Sequence, residues 1–459
     1  MFRRSLALLS IAVLSIASGC SGDDSNNASS TSGVGGSSSA TTGTSTATGT
    51  GGAAQSSSGS SSSNAGGAGG AQSSSSITGT GGGGGNSTGT GGNSTGTGGA
   101  ACVRTPGPVD APRFVVIGHP FDAQGNDSPD YEVLSLSPAG VLAQTGKHFS
   151  MMTAADSEIV FTPDGELGFA VQDDGSLGAF RIHDDGAVDV LTAAFPASFY
   201  ASRVVMSPEG DHLLVLDENF PANGGGVYRV DIGCDDTLTD KGRLFESKSA
   251  HGLGFLGGSD VILAAREALG AAPTNTALRI TLDASPKLVA AVDAFGHDEA
   301  IVSTLALTRD GKFALIGDNS GFASTPNSVA VIGIDPGGLS VTQNLPMIED
   351  PYSLQTSPFN DAALVVSGFG DAFFVLDYAP AAAAPFSLRG KLPYVGVHPQ
   401  VPGASAMVKR GALDGRVLVV EVRGVFQVQF APNGVVTDLG LFDLAGGIEA
   451  IASSIGVQP

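Results

Sequence analysis

Three histidines are the side chains best suited to move a proton or bind a metal ion at neutral pH, where the imidazole titrates. His251, His297 and His398 each lie at or just before the start of a short apolar stretch. They share no repeated motif, so the alternative is that they are isolated surface histidines. No nucleophile elbow, Walker loop, HExxH or CxxC motif accompanies them, and motifs alone therefore assign no catalytic class.

Two groups of aspartates offer the oxygen ligands that hard divalent cations prefer. One lies within residues 122–130, and the other comprises Asp235, Asp236 and Asp240. Neither has the ligand spacing of an EF-hand, because Asp127 stands where that loop needs its turn glycine. The sequence therefore identifies no cofactor. Binding of a divalent cation remains an alternative that no motif supports, and the favoured interpretation is that these aspartates are solvated loop carboxylates.

Acidic residues outnumber basic ones by 44 to 22, which gives a formal net charge of -22. Two arginines and two aspartates before residue 101 balance each other, so the whole excess falls on the later part of the chain. A surface this acidic repels phosphate backbones, and nucleic-acid binding is not expected. The charge favours a soluble, exported surface.

The start of the chain carries an export signal. Two arginines precede an apolar run over residues 6–17, which has signal-peptide length and is short for a membrane span. The sequence ASGC at residues 17–20 resembles the lipobox of bacterial lipoproteins, with alanine at a position where leucine is commoner. The resemblance implies that residues 1–19 are removed as a signal peptide and that Cys20 is lipidated, and Ser21 after it implies outer-membrane delivery. The alternative is an ordinary signal peptide cleaved nearby.

The two remaining cysteines are Cys102 and Cys234. In an exported protein, two thiols in an oxidising compartment commonly form a disulfide. The alternative is two unpaired thiols, because a disulfide requires Cα atoms within about 7 Å of each other.

Residues 21 to about 101 consist almost entirely of Gly, Ser, Thr, Ala and Asn. Such a segment has almost nothing to bury and cannot offset its chain entropy, so it is predicted to be a disordered tether. The chain therefore divides into a signal peptide at 1–19, a lipidated cysteine with its tether at 20–109, and a folded domain at 110–459. This organisation predicts a lipid-anchored protein of the cell envelope, held at the outer membrane and exposed to the periplasm or the cell surface.

A unit of short strands recurs from residue 114 onward. It contains an apolar strand, a turn resembling Ser/Thr-Pro-Asp-Gly, a second apolar strand, then a loop and a third strand. Proline presets φ at the turn, and glycine or asparagine takes the positive φ that closes a hairpin. The turns lie near residues 164, 209, 258, 310, 359 and 414. This spacing predicts the blades of a β-propeller, since one such sheet cannot bury both of its faces alone.

Six turns predict six blades, and the remaining strands predict a seventh. Residues 114–118 and 131–146 supply two or three strands at the start of the domain, and residues 448–455 resemble an inner strand with no successor. The simplest arrangement pairs them, so that the two ends of the domain close the ring. We therefore predict an all-β fold with seven propeller blades, six and eight being the alternatives.

The Pro-Asp-Gly hairpins followed by apolar strands, as at residues 163–171, resemble the YVTN-type, lactonase-like family of seven-bladed propellers. The absence of tryptophan excludes the WD dipeptides of WD40 proteins. The lactonase-like resemblance implies an acidic and basic cluster at one mouth of the central channel. Five residues occupy comparable positions: Arg203, His251, Glu299, Tyr352 and Glu449.

Three functions remain open at this point, because the propeller fold hosts both enzymes and pure binding proteins. The tether and the lack of a catalytic motif favour an envelope binding module for a protein, a polysaccharide or a small molecule. Long inserts at 218–226, 267–275 and 320–327 would shape its binding face. The second function, implied by the resemblance, is a lactonase-like hydrolase that uses the channel mouth. The third is a structural role in the envelope.

Overall fold

A computed structural model describes the part of the chain that follows residue 103. The described ranges are 104–218, 225–247, 249–265, 276–283, 285–297, 302–318, 327–347, 351–367, 372–393, 404–421, 423–444 and 446–459. They belong to one compact unit. Cys20, Cys102, Glu299, His398 and most of the three long inserts lie outside these ranges. No helix in the described ranges is long and apolar enough to cross a membrane.

The described strands form seven four-stranded antiparallel sheets, each with an inner strand beside a central channel. The inner strands are β4 (Val160–Phe161), β8 (Ala201–Met206), β12 (Ala250–Gly257), β16 (Val302–Leu307), β20 (Pro351–Thr356), β24 (Ser405–Met407) and β28 (Ser454–Val457). The second strands are β1 (Arg113–Phe121), β5 (Leu167–Val171), β9 (His212–Asp217), β13 (Asp260–Ala265), β17 (Phe313–Asp318), β21 (Ala362–Ser367) and β25 (Arg416–Glu421).

Two further layers complete each sheet. The third strands are β2 (Asp127–Leu136), β6 (Leu177–Ile182), β10 (Gly226–Ile232), β14 (Ala277–Thr281), β18 (Ser328–Asp335), β22 (Ala372–Tyr378) and β26 (Gly424–Ala431). The outer strands are β3 (Leu142–Ser150), β7 (Val188–Thr192), β11 (Leu238–Phe245), β15 (Lys287–Val292), β19 (Gly338–Pro346), β23 (Phe386–Pro393) and β27 (Val435–Asp443). Blades 1 to 6 are the successive sheets from β4 to β27, and blade 7 joins β28 to β1, β2 and β3.

The hydrophobic core lies between neighbouring blades. The second strands β5 and β21 are buried at every residue, as strands covered on both faces must be. Phe169 of blade 1 and Leu213 of blade 2, for example, belong to one buried cluster. The outer strand β11 instead alternates between more and less exposed positions, because only one of its faces is covered.

The predicted turns close the first and second strands of most blades as expected. Gly165, Gly210, Gly311 and Asn360 adopt φ values of 79°, 74°, 68° and 55° at these turns. In blade 1 the amide of Gly165 donates to the carbonyl oxygen of Thr162 at 2.8 Å. Blade 6 differs, since a 3-10 helix at Gly411–Leu413 precedes its turn.

The two ends of the domain close the ring in blade 7, which confirms the prediction of seven blades. Strand β28 pairs with β1 in antiparallel register, with Ile455 opposite Ile117. The predicted strand over 448–455 was wrong in its extent, because Ile448–Ala450 forms a 3-10 helix and the strand begins at Ser454. The Ala450 amide donates to the Gly447 carbonyl and the Gly447 amide to the Glu449 carboxylate, and these local bonds compete with extension.

The inner strands all run in one direction, because each is antiparallel to its second strand and the blades repeat. Their starts therefore meet at one end of the channel, which we call the upper mouth, near Ala201, Ala250 and Pro351. Their ends meet at the other end, the lower mouth, near Met206 and Thr356. The Pro-Asp-Gly turns lie on the lower face.

The chain enters the fold on the lower face, where Arg104 holds two blades. Its Nη1 donates to Asp164 Oδ2 at 3.2 Å and its Nη2 to Asp236 Oδ1 at 2.9 Å, and only 8% of its side chain is exposed. Asp164 lies in the first turn of blade 1, and Asp236 in the last turn of blade 2. Cys234, beside Asp236, is disulfide-bonded. Its predicted partner, Cys102, lies outside the described residues, so that pairing stays a prediction.

Candidate functional site

A cavity of about 100 Å³ occupies the upper half of the channel, and we call it the upper cavity. Residues from six of the seven blades line it, including the predicted site residues Arg203, His251 and Tyr352. They meet there because each lies at or near the start of an inner strand: β8, β12 and β20. Three of the five residues implied by the lactonase-like resemblance therefore share one space.

His251 forms a pair with a carboxylate that the sequence did not single out. Its Nδ1 lies 3.3 Å from Oε2 of Glu218, which directly follows the last residue of β9. Both side chains are about one-fifth exposed. A neutral imidazole that donates from Nδ1 to Glu218 keeps a lone pair on Nε2, which is the arrangement of an oriented general base.

Arg203 crosses the channel from blade 2 to blade 4. Its Nη2 donates to the carbonyl oxygen of Ser303 at 3.0 Å. This bond fixes the guanidinium at the wall of the upper cavity. A guanidinium carries five N–H donors in total, so it can also bind a carboxylate or a developing oxyanion.

Tyr352 also spans the upper mouth. Its hydroxyl donates to Oδ2 of Asp156 at 3.4 Å, joining blade 5 to the segment that leads into β4. The two residues are 196 positions apart in the chain, so only closure of the ring brings them together. A phenol in this place can donate to, or accept from, a hydroxyl of a bound molecule.

Glu158 is the main residue that the sequence interpretation missed. It lines the upper cavity and forms an isolated parallel bridge to Ile455 of blade 7. Desolvation raises the pKa of this carboxyl above its usual value, and Lys409 and Arg203 oppose the rise. Its side chain is half-buried, since it faces the channel space while protein surrounds it. The available signal was its place just before the apolar residues 159–161, the last two of which form the inner strand β4.

The other predicted site residues do not join this group. Glu449 is exposed on the 3-10 helix, and its carboxylate accepts the Gly447 amide at 3.2 Å. His297, in the connection between blades 3 and 4, pairs through Nε2 with the buried Asp318 of blade 4 at 3.1 Å, and it does not line the upper cavity. Glu299 and His398 lie outside the described ranges.

The acidic groups that offered cation ligands are engaged with protein partners. Asp122 accepts the amides of Gln124 and Asn126, and Asp236 pairs with Arg104. Asp240 accepts the amide and hydroxyl of Ser198. Among the described residues, no group of three or more His, Cys, Asp or Glu side chains could hold a metal ion.

No protein-family model matches this chain, and no curated protein does. Many solved structures share its fold. A putative 6-phosphogluconolactonase from Bacteroides uniformis is 14% identical, with a TM-score of 0.57, and the match covers 75% of this chain and 99% of that one. The periplasmic gluconolactonase of Pseudomonas aeruginosa is 15% identical, with a TM-score of 0.56, over 76% of this chain and 99% of that one. At such identities the likeness establishes the seven-bladed fold alone.

Proposed function

We propose that the upper cavity hydrolyses a small lactone to its hydroxy acid. The observation that carries the proposal is that His251, which pairs with Glu218, lines the same cavity as Arg203 and Tyr352. A base and a cation are the groups that the reaction below uses, and the Tyr352 hydroxyl can bind the substrate. One protein of similar fold is described as a putative 6-phosphogluconolactonase and another as a periplasmic gluconolactonase, which agrees with this chemistry.

In the proposed reaction, water is the nucleophile. Nε2 of His251 takes one proton from a water molecule as its oxygen bonds to the lactone carbonyl carbon. The guanidinium of Arg203 stabilises the negative charge that forms on the carbonyl oxygen. The bond from the carbonyl carbon to the ring oxygen then breaks, and the proton on His251 passes to the leaving alkoxide. Glu218 holds the imidazole in place throughout.

The size of the upper cavity limits the substrate. Pockets for drug-sized ligands hold about 300 to 1,000 Å³, whereas this cavity measures about 100 Å³. A single five- or six-membered ring with few substituents is therefore the class of substrate we expect. Tyr352 and Gln355, which also line the cavity, would bind ring hydroxyls.

The place of action is part of the same proposal. The lipobox resemblance at Cys20 and the Gly/Ser/Thr-rich segment after it support a lipid-anchored envelope protein. The propeller would then act outside the cytoplasm, on a molecule that reaches the cell envelope.

The test is turnover of γ-butyrolactone, δ-valerolactone and δ-gluconolactone, followed by acid release in a pH-stat against spontaneous hydrolysis. We expect His251→Ala to lower kcat about 10²- to 10⁴-fold, and Arg203→Met about 10²-fold or more. His183→Ala is the matched control, because His183 also pairs with a carboxylate, Asp189 at 2.8 Å, but lies outside the upper cavity.

Two results would reject hydrolysis. One is the absence of turnover above the spontaneous rate for every lactone tested. The other is turnover that His251→Ala and Arg203→Met leave unchanged. Binding of a hydroxy acid at the same cavity without turnover would instead support the binding-module hypothesis.

A further inference from the structure

A second and larger space continues from the upper cavity toward the opposite end of the channel, and the two share Glu158, Val204, Val205, Leu253 and Leu305 among their lining residues. This space, which we call the lower chamber, measures about 600 Å³, well within the range of about 300 to 1,000 Å³ for ligand pockets. It lies where the inner strands end, since Met206, Leu307 and Met407 are among its lining residues. The proposed hydrolysis makes no use of it.

The wall of the lower chamber is mainly apolar. Side chains at the ends of the inner strands contribute most of it: Phe161, Met206, Phe255, Leu307, Met407 and Val457. Met206, Phe255, Leu307 and Met407 are only half-buried. Apolar surface that stays accessible inside a concave space is typical of a ligand site, because covering it releases water.

A basic pair stands at this wall. Lys409 and Arg410 both line the lower chamber, and they are the only adjacent basic residues after the signal region of this acidic chain. Nη2 of Arg410 is buried, and among the described residues it has no hydrogen-bond partner. A buried guanidinium nitrogen without an acceptor is costly, and a bound carboxylate would satisfy it.

The only acidic side chain among the residues that line the lower chamber is Glu158, which also lines the upper cavity. Burial raises the pKa of Glu158, which favours its neutral form. The charge of Lys409 opposes this rise, so Glu158 lies near the basic pair, at the head-group end of the lower chamber.

We propose that the lower chamber binds a medium-chain amphipathic carboxylate, with its head group at Lys409 and Arg410 and its alkyl chain among the inner-strand side chains. The basic pair matches a carboxylate head group, the apolar wall matches an alkyl chain, and the volume matches a chain of medium length. Pro106, which follows the fixed Arg104 by two residues, lines the same space and covers part of the alkyl chain.

The test uses the purified full-length chain carrying Cys20→Ser, in detergent-free buffer, with saturated carboxylates from octanoate to dodecanoate in isothermal titration calorimetry. Each added methylene should tighten binding up to about fourfold. Dodecanol should bind more weakly than dodecanoate, and dodecyltrimethylammonium more weakly still.

Substitutions locate the site. Lys409→Met and Arg410→Met should each weaken dodecanoate binding about tenfold and leave dodecanol binding unchanged. Lys287→Met, at an exposed position on the outer strand β15, is the matched control. Two variants that fill the chamber, Leu307→Trp and Met407→Trp, should abolish binding in whichever of them folds, as judged by circular dichroism.

Other outcomes would overturn the proposal. They are equal affinity for dodecanoate and the trimethylammonium compound, no dependence on chain length, or full binding in a folded filling variant. Co-sedimentation with phosphatidylcholine vesicles that Leu307→Trp and Met407→Trp abolish, without dodecanoate binding, would assign the lower mouth to a lipid surface instead. His251→Ala should leave dodecanoate binding unchanged. Either proposal, carboxylate binding or lactone hydrolysis, can therefore be rejected while the other stands.

Discussion

Ile455 tests how firmly the closing strand holds the ring. This residue is fully buried in the cluster that joins blades 6 and 7, with Ile117, Val420 and Val425 among its members. It lies opposite Ile117 in the register of β28 and β1, and its carbonyl oxygen accepts the Ile159 amide of blade 1 at 2.8 Å. Truncation to alanine removes the side chain and keeps these backbone bonds.

The expected loss follows from the cavity that Ile455→Ala leaves. Replacing a fully buried isoleucine by alanine lowers the free energy of unfolding by about 2 to 5 kcal/mol. The entropy of unfolding scales with chain length, so for a folded unit of this size that loss corresponds to a fall in Tm of about 3 to 7 °C. Truncating the chain after Asp443 also removes Ile451, Ile455 and the pairing of β28. It should leave an open edge on blade 7, and aggregation is expected.

Differential scanning calorimetry measures the effect, with Leu439→Ala as the matched control. Leu439 is an aliphatic side chain that is 45% exposed on the outer strand β27. Its removal should change stability by less than about 0.5 kcal/mol. At this size, a loss of 1 kcal/mol should lower Tm by about 1.5 °C. Two results together would therefore refute the argument that the closing strand holds the ring. One is a Tm for Ile455→Ala within about 1 °C of the Leu439→Ala value, and the other is a truncated chain that stays monomeric with an unchanged Tm.

Three further predictions concern the anchor, the tether and the channel. Cys20→Ser should move the protein from the membrane fraction to the soluble fraction or leave it unprocessed, and normal processing with unchanged membrane association would exclude lipidation at this residue. Deletion of residues 21–101 should barely change thermal stability, because their composition offers nothing to bury; a loss of about 2 kcal/mol or more would reveal packing. Glu158→Gln should become relatively more stable than the natural chain as pH rises. Since the folded pKa of Glu158 is raised, its stabilising contribution is complete below the unfolded pKa of about 4.3 and is lost as pH rises through the folded pKa. Thermal unfolding at pH 4 and pH 8 measures this, and a difference between the two proteins that is the same at both values would contradict it.

The architecture could be predicted from sequence because each blade repeats a similar strand–turn–strand pattern. A turn such as Thr162 to Gly165 closes a hairpin by its own hydrogen bond, and the flanking apolar strands need cover on both faces. The extent of the last strand could not be predicted in this way. Apolar residues at 448, 451 and 455 are compatible with a strand, but Glu449 and Gly447 form local bonds that favour a helical turn.

The candidate site was predictable only in part. The lactonase-like resemblance pointed to Arg203, His251 and Tyr352, and these three line one cavity because each lies at or near the start of an inner strand. Glu218 and Asp156, the partners of His251 and Tyr352, lie in other segments of the chain. The order of residues in the sequence does not show which carboxylates the ring of blades places beside these two side chains. His297 also precedes an inner strand, yet it pairs with the buried Asp318 of blade 4 and does not line the upper cavity.

The attachment of Arg104 to Asp164 and Asp236 has a mechanical consequence. Tension on the preceding chain is applied to the lower face, at the predicted Cys102–Cys234 disulfide first if that pair forms, and then at Arg104, which binds the first turn of blade 1 and the last turn of blade 2. The force is therefore applied on the lower face, at the far end of the channel from His251 and Tyr352. Arg181, in the third strand of blade 1, also binds Asp236 and so connects that turn to blade 1. A pull on the preceding chain would therefore act on the lower face, away from the upper cavity.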